Sequence, residues 1–325
     1  MGASDVARLL VLAGLWGGSF VFIRVAVPAL GPLYLAWSRV ALAFLALFAM
    51  AILQRGVASL RERWGDYLVV GTVNSALPFA LYGFAEQYVS ASMAAILNAT
   101  SPFFGALIAA LWLKEALTLR QLAGMGLGVT GVVWVVGWHA DPASGPVLAA
   151  VAACLGAALC YGIGGVYTKV RMSAVPSAAI ALWTQLAATL VLTPAVLAGP
   201  PPANLSLVVA VNVLALALAS TAYAYRLYFR LIADVGPTRA LTVTFLIPLF
   251  GVLWGVALLG ERVTADMALG GALILAGTWV ATRGAPRRRS AASEVALRPA
   301  RPPARAPECA APDSAAASAD RRRCT

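Results

Sequence analysis

Pro102-Phe103-Phe104-Gly105 opens a stretch that closes on Glu115, and Pro248-Leu249-Phe250-Gly251 opens a second that closes on Glu261. In both, Glu stands thirteen residues after Pro, followed by Thr118 or Thr264, Gly124 or Gly270, and Gly131 or Gly277. The same offset of 146 residues pairs Ala94 with Ala240, Leu107 with Leu253, Leu113 with Leu259 and Leu127 with Leu273. The sequence around both copies is almost wholly apolar, so the chain reads as a membrane protein built from two copies of one unit.

Composition agrees. Of 325 residues, 61% are hydrophobic and only 11% charged, and the mean hydropathy is +0.83. A soluble domain of this length could not cover so much apolar surface with so few charges. The formal net charge of +11 raises nucleic acid as a partner, but the basic residues lie between apolar runs or in the C-terminal tail and form no basic stripe. Membrane orientation explains them better. Cys154 and Cys160 share one apolar run, and Cys309 and Cys324 lie in the tail; none has metal-ligand spacing, so neither a metal nor another cofactor is expected. The opening apolar run lacks a small-residue cleavage site and reads as a retained helix.

A helix needs about 20 mostly apolar residues to cross the hydrocarbon core. Pro, Gly and charge punctuate the chain into ten such runs, over 6–27, 33–53, 66–87, 91–113, 119–138, 146–168, 177–198, 206–230, 237–259 and 265–282. Alternate connections carry the cations: Arg55, Arg61 and Arg63, then Lys114 and Arg120, Lys169 and Arg171, Arg230 and Arg239, and the tail from Arg283. The intervening connections hold only Arg262. That asymmetry places both termini in the cytoplasm of a bacterial inner membrane. The expected fold class is an all-α polytopic membrane protein, with five-helix repeats at 6–138 and 146–282. Five spans per copy is odd, so the second copy enters the membrane inverted, an arrangement common in transporters. The stretch 284–325 reads as a disordered basic tail able to touch anionic lipid.

Trp16-Gly17-Gly18-Ser19-Phe20, Arg39, and the block Pro102…Glu115-x-x-Thr118…Gly124…Gly131 resemble an EamA-type repeat. The second copy replaces Trp-Gly by Tyr161-Gly162 and keeps Pro248…Glu261-x-x-Thr264…Gly270…Gly277. Over about 6–282 the chain is similar to ten-span members of the drug/metabolite transporter superfamily. The resemblance implies a basket of helices around a central cavity and export or exchange of a small molecule by alternating access. Small multidrug pumps of that superfamily rely on a Glu in the first span; here none lies between Val6 and Val27, which disfavours proton-driven export of cationic drugs.

The candidate substrate-binding residues follow from the repeat. Asn74, Pro78 and Tyr82 recur at spacing four and share one helix face, beside Ser75. The 146-residue offset carries Ser75 to Thr221 and Tyr82 to Tyr228; Asn98 to Thr244; and Trp16 matches Tyr161. Polar groups at symmetry-related membrane positions either line a substrate site near the pseudo-axis or hold helices together. Pro102 and Pro248 free backbone carbonyls and are candidate gate hinges. Glu115 and Glu261 read as caps or inter-helix ties. A charge within a span needs a partner or a function. Either Glu86 pairs with Arg24 or Arg39, or Arg39 faces the cavity and receives a substrate carboxylate or phosphate. Arg226 reads as snorkelling, and His139 as a loop residue. A cavity of Trp, Tyr, Asn and Thr without a free acid favours a neutral or zwitterionic metabolite such as an amino acid. The scarcity of carboxylates within spans favours facilitated export or exchange over proton coupling. A nucleotide-sugar or phosphate-ester exchanger, a drug exporter, and a non-transporting scaffold or intramembrane enzyme remain as alternatives.

Overall fold

The computed structural model describes residues 2–53, 60–114, 116–136, 145–200, 202, 205–236, 240 and 242–282. These residues form helices and no strand, as expected where no water is present to satisfy open backbone groups. The helices are α1 (Ala3–Leu53), α2 (Trp64–Ala85), α3 (Ala91–Leu113), α4 (Leu119–Val136), α5 (Gly145–Arg171), α6 (Ser177–Ala198), α7 (Leu207–Ile232), α8 (Val243–Leu259) and α9 (Ala265–Thr282). Eight are long and apolar enough to cross a membrane; α8, with 17 residues, is apolar and slightly shorter. The sequence-based expectations for Glu115, His139 and the tail fall outside the described residues.

Straight, the 51 residues of α1 would extend about 76 Å. They do not run straight. Gly31, between Pro28 and Pro32, adopts φ 71 and ψ 165, a conformation natural only to glycine. Adjacent residues of α7 report the consequence: Ser220 Oγ donates to the Leu15 carbonyl at 2.7 Å, while Thr221 Oγ1 accepts from Arg39 Nε at 3.0 Å. Residues so far apart along a helix meet neighbouring partners only if the chain folds back. α1 is therefore a hairpin of two span-length segments, matching the runs expected over 6–27 and 33–53.

Two π-helical segments, Thr72–Ala76 in α2 and Ala215–Tyr223 in α7, fall at equivalent places under the 146-residue offset. Local chemistry accounts for the first. Pro78 has no N–H to give the Asn74 carbonyl, and Leu77 bonds back five residues to Thr72. In α7 the Thr221 hydroxyl donates to the Leu216 carbonyl at 2.9 Å, filling the widened turn. The π turn shifts the face of α2, so Asn74 and Tyr82 do not stack as strict spacing-four neighbours.

Packing follows the glycines. A Cβ at Gly124 would lie 2.6 Å from the Gly277 carbonyl oxygen, and one at Gly131 2.7 Å from that of Gly270. Gly124 and Gly131 are themselves the offset partners of Gly270 and Gly277, so α4 and α9 meet through a reciprocal contact. Gly17 likewise abuts the Gly251 nitrogen and Phe250 Cβ, while Gly162 abuts the Gly105 nitrogen and Phe104 Cβ. Small residues let membrane helices approach closely enough for backbone packing.

Candidate functional site

Arg39 is 6% exposed. Its guanidinium lies over the Phe79 ring, with Cζ 3.6 Å from the centroid, and Nε donates to Thr221 as above. Such stacking suits the weakly hydrated, planar guanidinium. The Nη donors have no protein hydrogen-bond partner among the described residues.

The counterpart of Arg39 under the repeat is Gln185, fully buried in α6, whose Nε2 donates to Ser75 Oγ at 3.2 Å. Ser75 is in turn the counterpart of Thr221. The two contacts are thus one interaction made twice across the molecule, Arg39–Thr221 and Gln185–Ser75. Tyr225, the counterpart of Phe79, hydrogen-bonds Ser75 and lies within electrostatic reach of Arg39. Sequence reasoning missed Gln185 and Tyr225. The signal for both was the offset itself, applied from Arg39 and Phe79 instead of from the polar residues of α2 alone.

An aromatic cluster adjoins this polar layer. Tyr82 and Tyr161 stack with centroids 6.3 Å apart, Phe20 meets Tyr82 edge-on at 5.4 Å, and Trp16 packs against Tyr228 at 5.3 Å. The Tyr82 hydroxyl donates to Asn98 Oδ1 at 2.9 Å. Asn74 faces Gly164, where an added Cβ would lie 3.0 Å from its Oδ1. The Asn74 amide and the Tyr161 hydroxyl make no hydrogen bond among the described residues, and both side chains are half-buried. Most of the expected set therefore lies in one connected region: Trp16, Arg39, Asn74, Ser75, Tyr82, Asn98, Tyr161, Thr221 and Tyr228. Thr244 occupies the first turn of α8, half-buried.

The two prolines have different surroundings. At Pro102, α3 breaks after Asn98 and resumes at Ser101. Hydroxyls fill the break: Ser101 Oγ donates to the Asn98 carbonyl at 2.7 Å, and Thr278 Oγ1 of α9 reaches the Ala99 carbonyl at 3.0 Å. Pro248 sits inside an unbroken α8 and lines an apolar groove with Ile96, Val252 and Leu275.

Of the two alternatives for the charges within spans, the ion pair of Glu86 with Arg24 or Arg39 does not form. Arg24 donates to the Glu86 backbone carbonyl, Arg39 is held by Thr221 and Phe79, and neither carboxylate oxygen has a hydrogen-bond partner. The helix end positions the Glu86 carbonyl, not its side chain, toward Arg24. Glu261 behaves as expected of a cap. Its Oε1 accepts from the Ala91 nitrogen at 2.8 Å and its Oε2 from the Ser92 nitrogen at 2.9 Å and Ser92 Oγ at 2.5 Å, a carboxylate seated on the helix N-terminus of α3. Asp66, Tyr167, Arg171 and Arg63 form a second polar cluster, with Tyr167 donating to Asp66 at 2.8 Å.

The profile of the EamA-like transporter family matches this chain twice, over residues 6–137 and 148–283. The chain belongs to the EamA-like transporter family. Among similar proteins, a probable amino-acid metabolite efflux pump of Salmonella typhimurium is 28% identical over 307 residues, covering 90% of this chain and 99% of the relative. A probable terminal-alkyne amino-acid exporter of Streptantibioticus cattleyicolor is 28% identical over 287 residues, covering 86% and 93%. An S-adenosylmethionine/S-adenosylhomocysteine transporter of Chlamydia trachomatis is 27% identical over 275 residues, covering 79% and 83%. A crystal structure at 20% identity shares the fold with a TM-score of 0.62, covering 87% of this chain and 97% of its own. This EamA-family chain is a multi-pass helical membrane transporter whose cargo is a small molecule.

Proposed function

We propose that this protein exports or exchanges a small neutral or zwitterionic metabolite, an amino acid or a close relative, by alternating access. In this reading two five-helix halves, 6–138 and 146–282, enter a bacterial inner membrane in opposite orientations, giving ten spans with both termini cytoplasmic. The Gly31 reversal in α1, the paired π segments, and the reciprocal α4–α9 and Arg39/Gln185 contacts support that arrangement.

One observation carries the substrate class. Arg39 is buried beside Tyr161, has no acidic hydrogen-bond partner, and keeps its Nη fork unused. A buried cation so placed suits a single carboxylate, bound bidentately. The Asn74 amide and Tyr161 hydroxyl offer neutral hydrogen bonds, and Trp16, Tyr82 and Tyr228 offer apolar faces. The Salmonella and Streptantibioticus relatives, described as a probable amino-acid metabolite efflux pump and a probable terminal-alkyne amino-acid exporter, favour the same class. A phosphate ester needs more cations than this region holds, since Arg24 is already engaged at the Glu86 carbonyl.

Counterflow in proteoliposomes tests the proposal. Vesicles preloaded with an unlabelled mixture of the common amino acids are expected to accumulate at least one labelled member of it transiently. No flux for any member removes this substrate class.

A further inference from the structure

We propose that Glu86 is a proton-binding site of the transporter: its carboxyl holds a proton while the Glu261 end of the bundle is closed, and releases it when that end opens. The inference deepens the transport reading above and rests on it for its functional meaning. It replaces the facilitated mode that the sequence favoured.

The first observation is geometric. Glu86 immediately follows α2, is fully buried, and both its carboxyl oxygens lack any hydrogen-bond partner. An ionised carboxylate buried without a hydrogen-bond donor is strongly disfavoured, and protonation is the ordinary escape. The second observation is what surrounds it. Five groups, from three helices and one connection, lie within electrostatic reach of it: Arg24 and Arg39 of α1, Tyr82 of α2, Cys154 of α5 and Glu261 beyond α8. Arg24 donates to the backbone carbonyl instead of the side chain; Arg39 is held through Nε by Thr221 and over its face by Phe79, and its free Nη atoms do not bond the Glu86 carboxyl; Tyr82 donates to Asn98. The Glu261 carboxylate repels a second negative charge and is itself tied to Ala91 and Ser92. The cations are near enough to receive an ionised Glu86 once the packing loosens, yet neither receives it here.

The third observation supplies the trigger. The Glu261 cap fastens α3 at Ala91 and Ser92, only a few residues beyond Glu86 in the chain. Opening this end breaks the cap and wets Glu86, which then ionises against Arg24. Closing it again requires one proton from the water on that side. Sodium is a poorer occupant, because it takes several oxygen ligands and Glu86 offers only its own two.

Infrared difference spectroscopy of the purified protein in lipid tests this. At neutral pH the wild-type spectrum minus that of Glu86→Gln is expected to contain a carboxylic-acid C=O stretch that shifts in D2O. A difference holding only carboxylate bands overturns the proposal. Should Glu86→Gln fail to fold, reaction of the wild type with dicyclohexylcarbodiimide, which adds to protonated carboxyls in apolar surroundings, decides instead. An adduct mapped to Glu86 at neutral pH is expected, and its absence there overturns the proposal. Counterflow of the labelled amino-acid mixture, measured on the same preparation, separates the two readings. Wild-type flux that slows as the pH turns alkaline, with Glu86→Gln insensitive to pH, supports coupling. Equal pH dependence in both contradicts it, and no wild-type flux at all counts against the amino-acid reading while the C=O band still judges Glu86.

Discussion

Arg39 is oriented by two contacts that leave its end free. Phe79 holds the guanidinium face and Thr221 holds Nε, so the Nη fork is pre-set for a planar acceptor. Lysine keeps the charge but lacks both the plane and the fork. Arg39→Lys is therefore expected to lower amino-acid counterflow by about tenfold or more, a cost near 1.4 kcal/mol, while folding survives in gel filtration. Arg39 was visible in the sequence as a charge inside an apolar run. Its partners were not, because a charge in a span announces that something must compensate it without saying what. Glu86, the nearest acid at similar depth, stood as one alternative and a cavity-facing role as the other. The structure answers with a ring and a hydroxyl. A smaller residue-scale feature is Lys114, which ends α3 in a left-handed conformation at φ 54; its counterpart Gly260 ends α8 at φ 64. A side chain there is strained where glycine is not. Lys114→Gly is expected to raise stability by about 1 kcal/mol, read as a higher midpoint in thermal unfolding in detergent.

At the scale of elements, the glycines and prolines act in opposite ways. Gly124, Gly131, Gly270 and Gly277 fix α4 against α9 by removing side chains from the contact. Gly124→Ala places a methyl 2.6 Å from the Gly277 carbonyl and is expected to cost about 1–3 kcal/mol, the range for overpacking a close contact. Adding Gly277→Ala is expected to cost less than the sum, because the helices have already been pushed apart; thermal unfolding of both single variants and the double variant measures it. Pro102 instead opens α3, and the break is filled by Ser101 and Thr278 hydroxyls that can let go again. In the proposed gating role, Pro102→Ala restores an N–H to the Asn98 carbonyl, straightening α3. It is expected to slow counterflow several-fold without loss of thermal stability. The doubled glycines and prolines were legible because they repeat at one offset. The π segments were not, since five-residue bonding leaves no periodic trace in an apolar run.

At the scale of the molecule, two copies of one unit meet through contacts that exchange roles: Gly124 with Gly277 and Gly131 with Gly270, Arg39–Thr221 with Gln185–Ser75. The apolar runs made the all-helical, multi-pass membrane architecture readable from the sequence. The site was readable only in part, since the offset lists equivalent residues but contacts between halves depend on how the helices pack. The copies also differ, with α3 broken at Pro102 and α8 continuous through Pro248. In the alternating-access proposal, such inequality marks one end of the bundle as closed, with Glu261 holding the start of α3. Alternating access about that layer is the central proposal. Its most direct test replaces the four native cysteines by serine, introduces Asn98→Cys, and applies a membrane-impermeant thiol reagent to one face of sealed vesicles at a time. Labelling from either face, slowed in both cases by the transported amino acid, is the predicted result; labelling from one face only, or from neither, contradicts it.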